Sequence, residues 1–228
     1  MSEPRAVVFA PVLPHWDEGR FFTPIIRLLT ELGCRVEVFD TLSRLDDSVT
    51  GVADLAQRWA AEAQSADLVA GNALGGAVVQ ALLPSLRPVP VLLVSAPTRT
   101  DHVLKSRLSS VAEPAAAGDL TRSLRRLTEL VAPEGVEVPK APAVPTDEVA
   151  CRRIAGGLRL LFDIDLTAQV SAHAGPLLHF VGERSQLVTS DHVSDAVVVP
   201  GAGMRPHYDR PEFVADHLNR FVKENLSR

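Results

Sequence analysis

The chain contains 228 residues, of which 46% are hydrophobic, and it carries a formal net charge of −5. This length and composition allow one substantial core, so we expect one large domain rather than two small ones. The basic residues are dispersed, and no stretch approaches the roughly 18 apolar residues of a membrane span, so neither nucleic acid nor a membrane is expected as a partner.

The N-terminal segment MSEPRAVVFAPVLPHW lacks the basic region and long apolar run of a signal peptide, and we therefore expect a cytoplasmic protein. Cys34 and Cys151 are far apart and outside any paired metal or redox spacing. We interpret both as small buried hydrophobes or idle thiols, with a disulfide as the less favoured alternative.

Short apolar runs without polar alternation are typical of strands that are covered on both faces. They predict strands at 6–10, 36–39, 68–70, 89–94, 177–181 and 196–199. Helical periodicity with Gly or Pro at the ends predicts flanking helices at 22–32, 52–66, 75–83 and 211–226. This alternation indicates an α/β fold with a doubly wound, mostly parallel sheet.

The strand pattern stops between residues 98 and 174. Two predicted helices, 120–131 and 147–162, flank the Pro-rich connector VAPEGVEVPKAPAVPT there, and their apolar faces favour packed structure over a floppy loop. We predict a helical cap at 99–174, inserted into a core made of 1–98 and 175–228. Such a cap would lie over the carboxyl ends of the strands, where open α/β sheets bind ligands.

The segment LVAGNALGGA, residues 68–77, has the spacing of a G-x-S-x-G nucleophile elbow, with Gly71 and Gly75 in place and Ala73 at the serine position. A sharp strand-to-helix turn needs small neighbours on steric grounds. Alone, this pattern is equally typical of any tight turn between a strand and a helix.

The chain as a whole resembles the α/β-hydrolase superfamily, in its capped, esterase-like or C–C-hydrolase-like form. The resemblance is carried by the elbow GNALGG, the strand VLLVSAP, the segment PLLHFVGERSQLV and the C-terminal segment VVVPGAGMRPHYDRPEFVADHLNRFV. It implies the α/β-hydrolase fold and a Ser-Asp-His triad.

On this resemblance the three triad positions are Ala73, Ser185 and Met204, so the triad is degenerate. None of these side chains can act as nucleophile, fixed negative charge or proton acceptor in the family's manner. Main-chain donors of an oxyanion hole, from Val12 or Leu13 and from Leu74, do not depend on side chains and are expected to survive.

His207 and His15 are the remaining candidates for catalysis, because an imidazole titrates near neutral pH. As a catalytic residue His15 would have Asp17 or Glu18 as its carboxylate partner. The alternatives are a surface histidine beside Tyr208 for His207 and a solvated loop for His15. The predicted substrate-binding residues are Val12, Leu13, Asn72, Ala73, Leu74, Ser95, Arg184, Met204 and Arg205. No metal spacing or dinucleotide fingerprint is present, so no cofactor is expected.

The leading hypothesis is that the pocket binds a small, largely apolar molecule and promotes a non-hydrolytic reaction of specialised metabolism: cyclisation, isomerisation, decarboxylation or dehydration. One alternative is an esterase, thioesterase or acyltransferase in which alanine has replaced the nucleophilic serine at position 73. Another is a non-catalytic binding protein. A small molecule is the expected partner, and the chain is expected to be a monomer or a homodimer.

Overall fold

The buried apolar runs form one parallel sheet in the computed structural model, which describes residues 3–139 and 142–226. The strand order is β2-β1-β3-β4-β5-β6, and every pairing is parallel. The strands are β1 (Arg5–Phe9), β2 (Arg35–Phe39), β3 (Leu68–Asn72), β4 (Val91–Val94), β5 (Leu177–Gly182) and β6 (Val197–Val199). The predicted doubly wound α/β sheet is confirmed.

Helices cover both faces of this sheet because successive strand residues point to opposite sides. Val7 and Phe9 of β1 pack into one core cluster and Ala6 and Val8 into the other. The flanking helices are α1 (Thr23–Glu31), α2 (Val52–Gln64), α3 (Leu74–Leu82) and α9 (Pro211–Leu226), the last preceded by the short α8 (Pro206–Asp209).

Between β4 and β5 the described residues form four helices, which are α4 (His102–Ala116), α5 (Leu120–Val131), α6 (Glu148–Arg159) and α7 (Thr167–Ser171). Sequence analysis predicted α5 and α6 but missed α4 and α7. Helix α4 begins where the Asp101 carboxylate accepts a hydrogen bond from the Leu104 main-chain N at 2.8 Å. Leu104 and Leu108 are buried at a helical spacing that the sequence already contained.

The inserted segment leaves and rejoins the core at neighbouring points. Arg99 and Asp165 form an antiparallel bridge, and the main-chain N of Leu166 donates to the Thr98 carbonyl at 2.7 Å. Within the segment, α4 packs against α5 and α6. The division into a core of 1–98 and 175–228 and a cap of 99–174 remains a prediction.

The Pro-rich connector forms no helix over 132–139 and 142–147, and its Lys140 and Ala141 lie outside the described residues. Cys34 and Cys151 are buried free thiols, as predicted.

Candidate functional site

Ala73 occupies the turn between β3 and α3 in a backbone conformation that is rare for a residue with a side chain, with φ 47° and ψ −113°. Its main-chain N donates to the Val94 carbonyl at 3.0 Å. A Cβ on Gly75 would lie 2.1 Å from the Phe9 carbonyl oxygen, so only glycine fits there. The backbone geometry of an elbow is therefore present, and its tip carries a methyl group.

Helix α3 is fixed behind this turn by the buried side chain of Gln80. The Gln80 Nε2 donates to the carbonyl oxygens of Gly76 and Pro97, each at 3.2 Å, and its Oε1 accepts from the Thr98 hydroxyl at 2.6 Å. Because these polar groups are buried and satisfied, they hold the elbow helix against the end of β4.

A cavity of about 450 Å³ lies above the elbow, and we call it the elbow cavity. Most of its wall is aliphatic, and α4, α5 and α6 supply part of it through Leu104, Leu127 and Leu158. The residues lining it are Pro11, Val12, Leu13, Asp17, Arg20, Phe21, Asn72, Ala73, Leu74, Pro97, Leu104, Leu108, Leu127, Thr128, Val131, Leu158, Leu161, Leu187, Val188, Met204, Arg205 and Tyr208.

Two of the three positions that the resemblance assigns to a triad face this cavity. Ala73 and Met204 line its wall, and the Met204 Sδ accepts a hydrogen bond from the Val188 main-chain N at 3.4 Å. Ser185 is buried and is not a lining residue, and its hydroxyl has no partner among the described atoms. A methyl group and a thioether thus occupy the wall where the resemblance places the nucleophile and the base.

His207 is not the surface histidine that the sequence alternative suggested, because it is only 1% exposed. Its Nε2 lies 3.0 Å from the Phe21 carbonyl oxygen, which assigns the proton to that nitrogen, while Nδ1 has no partner among the described atoms. Burial, with the positive charge of Arg205 as a smaller cause, lowers the pKa of His207 to about 4. His207 is neutral at pH 7 and does not line the elbow cavity.

His15, the second catalytic candidate, is exposed and also absent from the cavity lining. Its Nε2 lies 3.4 Å from the Asp147 Oδ2, so the nearest carboxylate comes from the start of α6 rather than from Asp17 or Glu18. Asp147 is far away in the sequence, and local spacing gave no sign of this pairing.

The predicted substrate-binding residues divide into two groups. Those that line the elbow cavity are Val12, Leu13, Asn72, Ala73, Leu74, Met204 and Arg205. Ser95 does not, since it is fully buried at the end of β4 with φ 46° and a hydroxyl that has no described partner. Arg184 also points elsewhere, and its guanidinium donates to the Glu134 carbonyl.

Of the polar residues on the open side of the cavity, the sequence predicted Arg205 but not Arg20 or Tyr208. Arg20, Arg205 and Tyr208 are lining residues that are also exposed, and we call this open side the mouth. Arg20 was missed because its position depends on a turn in which the Asp17 carboxylate accepts from the main-chain N of Gly19 and Phe21. The run DEGR at 17–20 is the sequence signal from which this turn could have been predicted.

Among residues 3–139 and 142–226, no group of His, Cys, Asp or Glu side chains is arranged to hold a metal ion. Over the same residues, no helix combines the length and apolar character needed to cross a membrane.

No family model matches the chain, and no curated protein matches it. Solved structures match the chain over nearly its whole length. An α/β-hydrolase enzyme from a Medee basin deep-sea metagenome library superposes with a TM-score of 0.75 at 11% identity, over 96% of this chain and 89% of that one. The esterase of Exiguobacterium antarcticum gives a TM-score of 0.68 at 16% identity, over 98% and 93% of the two chains.

MenH from S. aureus also gives a TM-score of 0.68, at 13% identity, and covers 100% of this chain and 96% of its own. Identities this low carry information about architecture, not about substrate or reaction. The parallel sheet, the elbow and these structural neighbours agree, and the chain has the α/β-hydrolase fold.

Proposed function

We propose that the elbow cavity binds a small, largely apolar molecule without forming a covalent intermediate. The observation that carries the proposal is that Ala73 and Met204 both line an aliphatic cavity at the end of an intact elbow. A nucleophile and its base are needed for an acyl-enzyme, and neither a methyl group nor a thioether supplies one.

The size and chemistry of the cavity support a small-molecule ligand. A volume of about 450 Å³ lies within the range of pockets that enclose small molecules, and the mostly aliphatic wall favours an apolar body. The proposed cap contributes to this enclosure because α4, α5 and α6 each place a leucine on the wall.

A non-hydrolytic reaction, such as cyclisation, isomerisation, decarboxylation or dehydration, is the catalytic form of this proposal. It would proceed by positioning, with the main chain of Leu74 and the side-chain oxygen of Asn72 as polar groups beside the elbow; the Asn72 Nδ2 already donates to the Val94 carbonyl at 3.0 Å. His207 and His15 have no part in it, because neither lines the cavity. A bound molecule recovered unchanged after long incubation indicates binding alone, whereas more than one product molecule per protein establishes catalysis.

Ligand binding is tested with Nile red, a neutral dye whose fluorescence rises in apolar surroundings. We expect saturable binding to the wild-type chain and its loss in Leu127→Trp, because the larger side chain fills the cavity from α5. The matched control is Arg125→Trp, an exposed position on the same helix, which should bind the dye as the wild type does. Equal binding by both variants would contradict the proposal.

A further inference from the structure

Two arginines of the mouth belong to segments that are distant in sequence but meet in the fold. Arg20 lies before α1, and Arg205 lies immediately before α8. Tyr208 joins them: its hydroxyl donates to the Arg20 carbonyl, and its ring centroid lies 5.9 Å from the Arg205 Cζ.

Neither guanidinium group forms an ion pair with any carboxylate in the described chain. Asp17 is the acidic residue among the described lining side chains, and its two carboxylate oxygens accept from the Gly19 N at 3.0 Å and the Phe21 N at 2.9 Å. Main-chain donors therefore hold Asp17, and both arginines keep their hydrogen-bond donors available.

The mouth and the interior of the elbow cavity differ sharply in chemistry. Two arginines against one aspartate leave a single excess positive charge on the lining, while Leu104, Leu127 and Leu187 provide an aliphatic interior. A ligand that matches both regions has an apolar body and one negative charge at its end. A guanidinium fork fits the planar geometry of a carboxylate, which carries that one charge.

We infer that the natural ligand is an apolar carboxylate, such as the anion of a medium-chain fatty acid. Its carboxylate binds between Arg20 and Arg205, and its hydrocarbon chain fills the interior. This inference rests on the proposed function and adds the ligand's chemical class. It also gives the two arginines a role in specificity.

The test compares octanoate with octanamide, which has the same chain and a planar head of the same size but no charge. Binding is followed by amide chemical shifts in NMR titrations, which measure weak affinities. We expect octanoate to bind the wild type about tenfold more tightly than octanamide, a modest preference because the arginines are solvent exposed. In the double variant Arg20→Gln with Arg205→Gln, octanoate should bind no more tightly than octanamide.

Arg27→Gln is the matched control, since Arg27 is an exposed residue of α1 that does not line the cavity, and it should keep the preference. Equal affinity of the wild type for the two probes would overturn the carboxylate assignment and leave the proposed function intact. A preference that persists in the double variant would overturn the role of the arginines. If octanoate, octanamide and Nile red all fail to bind the wild type, the proposed function itself is wrong.

Discussion

Asp40, at the end of β2, and Arg153, on α6, form a two-pronged salt bridge with N–O distances of 3.0 and 2.7 Å. Each side chain is only 15% exposed. The Arg153 Nε also donates to the Leu13 carbonyl at 3.0 Å, so one guanidinium joins the inserted helices to the loop that forms part of the cavity wall. This contact fixes α6 relative to the sheet.

Arg153→Gln should lower the free energy of unfolding by about 2 kcal/mol, because the mostly buried Asp40 carboxylate would lose its cationic partner and retain the hydrogen bond from the Leu42 main-chain N at 3.3 Å. Urea unfolding followed by circular dichroism measures the change. Arg152→Gln, on the exposed side of the same helix, is the control and should change stability by less than about 0.5 kcal/mol. Equal effects of the two substitutions would show that the salt bridge contributes nothing specific.

Two buried histidines should make the protein less stable in mild acid. Burial lowers the pKa of His179 to about 3 and that of His207 to about 4, from an ordinary value of 6.5. As the pH falls below 6.5, the two histidines take up protons in the unfolded chain but not in the folded chain. The free energy of unfolding therefore decreases until the pH reaches the pKa of the folded state, which for His207 is about 4. When the pH falls from 7 to 5.5, each of these histidines should lower the free energy of unfolding by about 1 kcal/mol.

The measurement is chemical denaturation at these two pH values for the wild type, His207→Gln and His102→Gln. Between pH 7 and pH 5.5, His207→Gln should lose about half as much stability as the wild type loses. His102→Gln, at an exposed position, should lose as much as the wild type. If His207→Gln retains the full pH dependence, His207 is not neutral in the folded protein.

The sheet and the elbow were predictable because their signals are local: apolar runs for the strands, and glycines at fixed spacing for the turn. The mouth was predictable only in part: Arg205 was a predicted binding residue, but Tyr208 links it to the main chain of Arg20 through a contact that depends on how α8 packs against the segment before α1. For the same reason the sequence did not show that His207, a catalytic candidate with a surface histidine as the alternative, is buried away from the cavity. Its sequence neighbours are polar, but its ring packs edge-on against Phe22 at 5.0 Å.

Placing Ser, Asp and His at the three positions that the resemblance assigns to a triad should produce hydrolysis that no single substitution produces. In the variant Ala73→Ser, Ser185→Asp, Met204→His, the elbow supplies the backbone geometry and the new side chains supply the chemistry. Because triad members act as a unit, we expect p-nitrophenyl butyrate hydrolysis at least about tenfold above each single variant. Rates that simply add would mean that these positions do not converge as the resemblance implies.

The single variant Ala73→Ser tests the proposal that covalent chemistry is absent from this site. The chain is incubated with p-nitrophenyl octanoate and its intact mass is measured, with the wild type beside it. We predict no added acyl group and no burst of p-nitrophenol, because Met204 lines the wall where a base is needed. An acyl group on Ser at position 73, with a burst of one equivalent of p-nitrophenol, would show instead that the chain is an esterase that lacks only its nucleophile.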